Sequence, residues 1–342
     1  MSMKSKNSLL NKCREYAKLI RLQSLGVSTP PVVGALAITG QSLALNDFLV
    51  LFFIGLLSQV FGFVLNDFAD IELDKTSHYL SERPLVKGTI SKKEVYLILI
   101  VCFILGMGAT ALYFQNFSVM ILLLIITILG SAYDLYGKRF VGSDFLVAGA
   151  TAMLCLLGAL AIRKDSQPLP LIAWIVIITA FIQMLYMNII DGGMKDADHD
   201  YKAHTKTLAV VLGVKANGGL VISRSFKMLA ICLRSISVML LLIPFLINDP
   251  RFHLWQLILF VPLAFGTFYF SIKMLQLSTF QREKIGNLIR IQEILRYTLV
   301  PIVLMGYIGL GWTLLLIFLP FVWYAFSTWF IYGRLFGTPK TL

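Results

Sequence analysis

Apolar runs separated by short polar segments make up most of this chain of 342 residues. A run of about 18–25 apolar residues is long enough for a helix to cross the roughly 30 Å hydrocarbon core of a bilayer. Gly309-Leu310-Gly311 divides the last apolar stretch, which is too long for one span. Pro30-Pro31 is expected to distort the first helix. The pattern predicts ten spans, near residues 22–42, 48–66, 95–114, 117–135, 144–162, 169–190, 227–247, 254–273, 294–310 and 312–333.

The amino-acid composition favours an all-α, polytopic membrane protein. Hydrophobic residues make up 58% of the chain and charged residues only 14%, which excludes an ordinary soluble domain. The four cysteines are scattered and form no CxxC pair, so we expect neither a disulfide framework nor a zinc site.

The basic residues indicate an orientation in the membrane. The net charge is +12, and Lys and Arg gather before the first span and after the even-numbered spans. Cytoplasmic loops are enriched in these residues, so we expect the N-terminus and the even-numbered exits in the cytosol. No nucleic-acid-binding motif accompanies the charge, which favours anionic lipid or a diphosphate as its partner. The absence of a transit-like leader favours a multi-pass protein of a prokaryotic plasma membrane, with its active site towards the cytosol.

An acidic segment follows the second span directly. At about 100° per residue, Asn66, Asp67, Asp70 and Asp74 fall within an arc of roughly 100° on one helix face, and Glu72 points away. Carboxylates this close repel one another unless a cation neutralises them. Hard oxygen ligands beside a membrane suit Mg²⁺, which shares its coordination shell with water and substrate phosphates.

A second acidic segment follows the sixth span and is predicted to leave the membrane on the same side. Asp196 and Asp200 are one helical turn apart and can share a face. Gly192-Gly193 is expected to break or kink the span, which leaves the direction of Asp191 open. Together the two segments predict the two halves of one metal–diphosphate site.

Several motifs resemble those of the UbiA superfamily of intramembrane prenyltransferases. Asn66 to Asp74 is similar to the family's NDxxDxxxD motif, and Arg83 to Gly88 to its RPLxxG loop. Asp196 to Asp200 matches DxxxD, and Lys206 to Leu208 is a KTL-like element. Tyr133 to Arg139 resembles the family's tyrosine- and lysine-bearing loop, without its usual prolines.

The resemblance implies nine helices around a central lipid-facing cavity, with a tenth, C-terminal helix as an addition. Residues 1–21 would be a cytosolic basic N-terminus, 22–310 the prenyltransferase domain and 311–342 the extra span and tail. The departure at Asp191-Gly192-Gly193 is expected to reshape the acceptor side of the cavity.

The resemblance also implies a chemistry, the Mg²⁺-dependent transfer of a polyprenyl group from its diphosphate to an acceptor. Asn66, Asp70 and Asp74 would hold one Mg²⁺, and Asp196 and Asp200 a second. Asp67 joins Asp70, Asp196 and Asp200 as a predicted catalytic residue. The predicted diphosphate contacts are Arg83, Lys138, Arg139, Lys195, Asn188 and Tyr133. The base that deprotonates the acceptor stays open among Asp67, Asp191 and Asp198.

The acceptor is open at this point. The Arg83 to Gly88 loop favours an aromatic quinone precursor, while the extra basic residues are compatible with a glycerol-phosphate lipid or a sugar phosphate. A membrane terpene cyclase is the alternative enzyme, because the allylic cation can also be captured internally. A transporter is the alternative of another class, although its acids would lie deep in several spans.

Three other features carry weaker predictions. Arg21 precedes the first span as a topology signal or a substrate anchor. Arg234 interrupts the seventh span, and we expect it either to face the cavity or to snorkel towards the interface. Residues 281–296 show apolar positions at helical spacing, which favours a helix lying in the interface.

Overall fold

A computed structural model describes residues 3–24, 28–75, 80–163 and 168–335. Nearly all of this is helical, as the apolar pattern predicted. The helices are α1 Met3–Leu19, α2 Pro30–Thr39, α3 Leu45–Ala69, α4 Ile71–Asp74, α5 Lys92–Ala109, α6 Phe117–Tyr136, α7 Asp144–Ile162, α8 Leu171–Leu185, α9 Gly193–Lys195, α10 Ala197–Lys202, α11 Leu208–Val211, α12 Arg224–Leu246, α13 Gln256–Leu275 and α14 Arg282–Tyr332. Thr110–Phe114 and Tyr186–Gly192 are π-helical, and Gly40–Ser42 is a 3₁₀ turn. Strands β1 Lys215–Ala216 and β2 Leu220–Val221 pair antiparallel.

Within the described residues, eight helices are long and apolar enough to cross a membrane. The last of them, α14, has 51 residues, which at about 1.5 Å per residue exceeds any bilayer. Gly309 interrupts it with φ 78° and ψ 166°, a conformation open mainly to glycine. The division predicted at Gly309-Leu310-Gly311 is therefore confirmed.

The first predicted span, 22–42, was wrong in its extent. Helix α2 covers only Pro30–Thr39, about 15 Å of helix, which cannot cross the hydrocarbon core. Pro30 and Pro31 begin this helix and do not distort it, because the first turn has no use for the missing N–H groups.

Helix α2 is held by close packing against α7. A Cβ built on Gly158 would lie 1.7 Å from the carbonyl oxygen of Pro31, and one on Gly34 would lie 1.8 Å from that of Cys155. Small residues of this kind let two backbones approach closely within a membrane. The short helix is thus fixed to a spanning helix at both contact points.

Arg234 neither snorkels nor lines the main cavity. It is 3% exposed, its Nη2 donates to Gln292 Oε1 at 2.9 Å, and its guanidinium lies 3.7 Å from the centre of the Tyr186 ring. Polar partners on neighbouring helices accept hydrogen bonds from Nη2 of this arginine inside the bundle, which hydropathy alone cannot reveal.

The segment 281–296 is not an isolated interfacial helix either. It forms the first turns of α14, and its apolar positions Ile285, Leu288 and Ile289 pack into the core around Met274 and Phe226. Arg296, at the end of the segment, is 1% exposed. The amphipathic pattern therefore faces protein and not the membrane surface.

Candidate active site

A cavity of about 740 Å³ opens among the polar ends of α3, α6 and α8 and the beginning of α14. Its wall also includes Phe63, Ile317 and Phe321, so one chamber has an apolar end and an end lined by charged side chains, which we call the ionic end. The predicted site residues that line it are Asn66, Asp70, Asp74, Arg83, Tyr133, Lys138, Arg139, Asn188, Lys195, Asp196 and Asp200. The structure thus brings together residues that are distant in the sequence.

The first acidic segment does not form one continuous helix. Helix α3 ends at Ala69, and Asp70 adopts φ −90° and ψ 0° before α4 begins. This sparsely populated backbone region is common at functional sites. Asn66, Asp70 and Asp74 still line the cavity, although the single helix face predicted for them is broken.

Asp67 does not reach the wall of this cavity, and neither does Asp198, another candidate base. Asp67 is 4% exposed, and its Oδ1 accepts hydrogen bonds from Arg21 Nη2 at 2.8 Å and Arg83 Nη1 at 3.1 Å. Arg83 also donates to Asp74 Oδ2 at 2.6 Å. In this structure Asp67 therefore orients two arginines of the cavity.

The buried Asp74 and the half-buried Arg83 form an ion pair at the ionic end. Burial raises the pKa of Asp74 to about 6, although the Arg83 guanidinium opposes this shift. Burial also works against the charge on Arg83, but Asp67 and Asp74 outweigh it and raise the pKa of the arginine. The arginine consequently stays charged beside the cavity.

Lys138 connects the loop after α6 to the first acidic segment and to the KTL-like element that follows the second. Its Nζ donates to Asp70 Oδ2 at 2.8 Å, and its carbonyl oxygen accepts a hydrogen bond from the amide of Lys206 at 3.1 Å. Burial disfavours the ammonium charge, yet Asp70 and then Asp200 raise its pKa above the ordinary value. Arg139 lines the cavity next to it, with its guanidinium 5.6 Å from the Tyr136 ring centre.

The second acidic segment has the same kind of break. Helix α9 ends at Lys195, and Asp196 takes φ −103° and ψ 10° before α10 begins. Asp196 Oδ1 accepts from Arg282 Nη2 at 2.9 Å. Burial opposes ionisation of Asp196, but Lys195 and Arg282 together hold its pKa below the usual value.

Asp200 is a buried carboxylate at the ionic end without a compensating hydrogen bond from the described residues. It is 5% exposed, and its Oδ1 has no hydrogen-bond partner among the described residues. Burial, followed by repulsion from Asp196, raises its pKa to about 7. A buried carboxylate oxygen without a partner is costly unless a cation or a donor completes it.

Sequence reasoning missed Arg282 and Asp134 as site residues. Both line the cavity, and Arg282 donates a hydrogen bond to Asp196. The charge rule had already placed Arg282 on the cytosolic side, so its side of the membrane was available as a signal. Arg21 also lines the cavity, which supports an anchoring role over a topology signal alone.

A separate polar wall lies on the side of α8 and α14. Asn188 and Asp191, both in the π-helical segment, line the cavity together with Glu293 and Tyr297 of α14. Asp191 is 4% exposed, and Arg296 Nη1 lies 3.4 Å from its Oδ2. The π-helix, which the sequence did not reveal, directs Asp191 towards the cavity.

The donor set of the ionic end fits magnesium. Hard oxygen atoms are available from Asn66, Asp70, Asp74, Asp196 and Asp200. Among them, Asp200 Oδ1 has no hydrogen-bond partner within the described residues and would be compensated by a bound cation. Throughout the part of the chain that the structure describes, no three acidic, histidine or cysteine side chains are gathered as a finished metal site. Three of the carboxylates accept hydrogen bonds from basic side chains: Asp74 from Arg83, Asp70 from Lys138 and Asp196 from Arg282.

The sequence itself carries the signature of a known family over most of this fold. The profile of the UbiA prenyltransferase family matches residues 28–286. The chain belongs to the UbiA prenyltransferase family. The expected family, its all-helical membrane fold and its class of enzyme are thereby confirmed.

Two curated relatives illustrate the range of this UbiA chain's similarities. Digeranylgeranylglyceryl phosphate synthase of Saccharolobus solfataricus is 30% identical over 251 residues, 73% of this chain and 84% of the relative. The 4-hydroxybenzoate octaprenyltransferase of Pseudomonas fluorescens is 27% identical over 215 residues, 62% of this chain and 71% of the relative. Both are prenyltransferases, and they differ in their acceptors.

Solved UbiA structures share the fold. One match is a structure that gives insights into digeranylgeranylglyceryl phosphate synthase in membranes. Its TM-score is 0.63 at 22% identity, and the match covers 87% of this chain and 99% of the solved chain. A UbiA homologue from Archaeoglobus fulgidus, bound to GPP and Mg²⁺, has a TM-score of 0.61 at 19% identity, covering 86% and 99%. The likeness at this identity concerns the fold alone.

Proposed function

We propose that this protein transfers a prenyl group from a prenyl diphosphate to a hydroxyl-bearing acceptor within the membrane, in a reaction that requires Mg²⁺. The observation that carries the proposal is the meeting of both acidic segments with Arg83 and Lys138 at the ionic end of one partly apolar cavity. The ionic end suits a diphosphate, and the apolar wall suits a prenyl chain.

Magnesium would be held by Asn66, Asp70 and Asp74 on one side and by Asp196 and Asp200 on the other. Bound there, Mg²⁺ would neutralise the diphosphate and assist departure of its oxygen. Two observations support this: the side chains offer the oxygen ligands that Mg²⁺ prefers, and a UbiA homologue has been solved bound to GPP and Mg²⁺. Asp67 would orient Arg21 and Arg83, and so would act on the site without reaching the cavity.

The basic side chains would bind the diphosphate oxygens. Arg83 and Lys138 already donate to carboxylates at 2.6 Å and 2.8 Å, and a diphosphate offers them the same kind of acceptor. Arg139, Lys195 and Tyr133 line the same cavity and would complete the contacts. The aromatic and aliphatic wall would exclude water from the allylic centre.

For the acceptor we favour a glyceryl phosphate lipid over the aromatic quinone precursor indicated by the Arg83 to Gly88 loop. The relative from Saccharolobus solfataricus is named for a glyceryl phosphate product, and 84% of its length aligns with this chain. A lipid acceptor also suits an active site inside the bilayer. We further propose that the ionic end of the cavity faces the cytosol of a prokaryotic cell.

The test is product formation by the full chain purified in detergent, supplied with geranylgeranyl diphosphate and Mg²⁺. Acceptors are a monoalkylglyceryl phosphate, 4-hydroxybenzoate and a sugar phosphate, each compared with no acceptor and with EDTA present. We expect prenyl transfer that needs both Mg²⁺ and the glyceryl phosphate. Diphosphate release without any acceptor would instead identify a cyclase or a hydrolase, and no release with any donor would favour a transporter.

Asp196→Ala is the informative variant in this assay, because it removes a proposed metal ligand. Asp47→Ala is its control, since Asp47 lies at the other end of α3 and its carboxylate accepts a surface hydrogen bond from Tyr113. We expect Asp196→Ala to lose turnover and Asp47→Ala to keep it. Full activity in folded Asp196→Ala would overturn the metal assignment.

A further inference from the structure

The polar wall formed by Asn188 and Asp191 contains two buried atoms of opposite hydrogen-bonding character. Asp191 Oδ1 can only accept, Asn188 Nδ2 can only donate, and neither has a partner among the residues that the structure describes. Both residues line the cavity. Buried polar atoms are rarely left unpaired, so this wall is complementary to a ligand group that both donates and accepts hydrogen bonds.

The backbone and a neighbouring charge hold Asp191 in this position. The π-helical segment Tyr186–Gly192 displaces the helix by one residue per turn relative to α8, and such segments are frequent at functional sites. Arg296, 1% exposed, contacts Asp191 through Oδ2 at 3.4 Å, and Oδ1 of this cavity-lining residue has no partner among the described residues. The arginine also compensates the buried charge of the carboxylate.

We propose that this wall binds the hydroxyl group of the acceptor and that Asp191 receives its proton during transfer. A hydroxyl donates one hydrogen bond and accepts others, so it satisfies Asp191 Oδ1 and Asn188 Nδ2 with a single chemical group. At this wall the Asp191 carboxylate would repel an anionic group of the acceptor, such as its phosphate, and would accept a hydrogen bond from its hydroxyl. The inference rests on the proposed prenyl transfer and specifies its acceptor as an alcohol that reacts through oxygen.

The bond changes balance without a further reactant. The hydroxyl oxygen forms a bond to C1 of the prenyl group, and the bond between C1 and the diphosphate oxygen breaks. The electron pair of that bond leaves with the diphosphate, and the hydroxyl proton moves to Asp191 Oδ1. An aliphatic hydroxyl is a weak nucleophile, and a carboxylate within reach of its proton provides general-base assistance.

The sequence predicts that Asn188 contacts the diphosphate, whereas its place in this wall assigns it to the acceptor. The two assignments differ in a measurable way. If Asn188 positions the hydroxyl, Asn188→Ala raises KM for the acceptor and leaves KM for the prenyl diphosphate unchanged. A rise in KM for the donor alone would restore the diphosphate assignment.

The decisive variant is Asp191→Asn, tested on the full chain with geranylgeranyl diphosphate, Mg²⁺ and a monoalkylglyceryl phosphate. We expect kcat to fall by at least about 100-fold, as is usual when a general base is lost. Binding of the unreactive donor geranylgeranyl thiodiphosphate, followed by the shift in melting temperature, should stay at the level of the unsubstituted protein. Asp249→Asn is the control, because it removes a carboxylate that pairs with Arg251 in a loop that does not line the cavity.

Two further measurements separate a chemical role from a structural one. A fluorinated monoalkylglyceryl phosphate has a more acidic hydroxyl, so it should lose less rate in Asp191→Asn than the ordinary acceptor does. The double variant Asp191→Asn/Arg296→Gln restores charge balance but not the base, and we expect it to remain impaired. Recovery of activity in the double variant would show that Asp191 only balances Arg296 and would overturn the inference.

The outcomes also distinguish the inference from the proposed function. Normal transfer in Asp191→Asn would overturn the role of Asp191 while leaving the prenyltransferase assignment intact. No transfer by the unsubstituted protein, despite donor binding, would overturn both.

Discussion

Asp70 and Asp196 interrupt their helices with nearly the same backbone geometry, φ −90° and ψ 0° in one and φ −103° and ψ 10° in the other. Each residue precedes a short helix, α4 or α10, that carries a further cavity-lining carboxylate, Asp74 or Asp200. The two halves of the proposed metal site are therefore built in the same way. A single turn of ordinary helix at either position would redirect Asp74 or Asp200.

We expect Asp70→Asn to abolish activity without unfolding the protein. Asparagine tolerates this backbone conformation and retains one carbonyl oxygen, but it loses the charge that a metal ion and Lys138 require. The activity loss should be at least about 100-fold, in the range seen when a charge-stabilising group is removed from an active site. Circular dichroism during heating checks the fold, and a melting temperature well below that of the unsubstituted protein would contradict the prediction.

Lys138→Met should raise KM for the prenyl diphosphate by roughly 10- to 100-fold, the equivalent of one lost charge-assisted hydrogen bond. The matched control is Lys75→Met, because Lys75 also pairs with a carboxylate at 2.8 Å, but in an exposed position on Glu72. Steady-state kinetics with varied donor concentration measures the effect. An equal change in both variants would mean that net charge, and not Lys138, is responsible.

Asp200→Asn should stabilise the protein in the absence of Mg²⁺ and abolish the stabilisation that Mg²⁺ and donor provide together. The substitution removes a buried carboxylate whose Oδ1 has no partner among the described residues, and it removes a proposed metal ligand at the same time. Melting temperatures with and without Mg²⁺ and geranylgeranyl thiodiphosphate test both halves. A variant that still gains the full shift would contradict the assignment of Asp200.

Arg234→Met should destabilise the bundle by about 1–3 kcal/mol, because it removes a charged donor from the buried oxygens of Gln292 and Ser271, which then accept from the neutral Tyr186 hydroxyl. Lys227→Met on the same helix is exposed and serves as the control. Urea or thermal unfolding in detergent gives the comparison. Equal stability of the two variants would mean that the Arg234 network contributes nothing net.

Gly158→Ala should destabilise the protein by at least about 2 kcal/mol, since its Cβ would overlap the backbone of Pro31 and backbone atoms cannot move aside easily. Gly149→Ala lies on the same helix, where the nearest atom to a new Cβ is 4.0 Å away in a Leu129 side chain. We expect that control to match or exceed the stability of the unsubstituted protein. Equal melting temperatures for the two variants would contradict the packing argument.

Much of the fold was readable from the sequence because long apolar runs have one stable arrangement in a bilayer, the helix. The glycine that divides α14 was readable for the same reason, since 51 residues exceed the membrane. The extent of the first span was not readable, because residues on either side of Pro30 are apolar enough for a span. Its short helix depends on glycine contacts with α7 that no local pattern contains.

The site was predictable to the level of its members and not of their contacts. Acidic residues at span ends indicated Asp70, Asp74, Asp196 and Asp200, and all four line one cavity. Their pairing with Arg83, Lys138 and Arg282 depends on tertiary packing, as does the burial of Arg234. Hydropathy measures the cost of exposing a side chain to lipid, and it contains no information about partners on another helix.

The side chain of Trp323 donates a hydrogen bond to the carbonyl oxygen of Leu22 at 2.6 Å, across 301 residues of sequence. The same last helix places Ile317, Phe321 and Tyr324 on the cavity wall. During synthesis on the ribosome, every intervening helix must enter the membrane before this contact can form. The reaction chamber is therefore completed only after α14 has been synthesised and inserted, and a nascent chain that stalls before Trp323 would have an incomplete cavity wall.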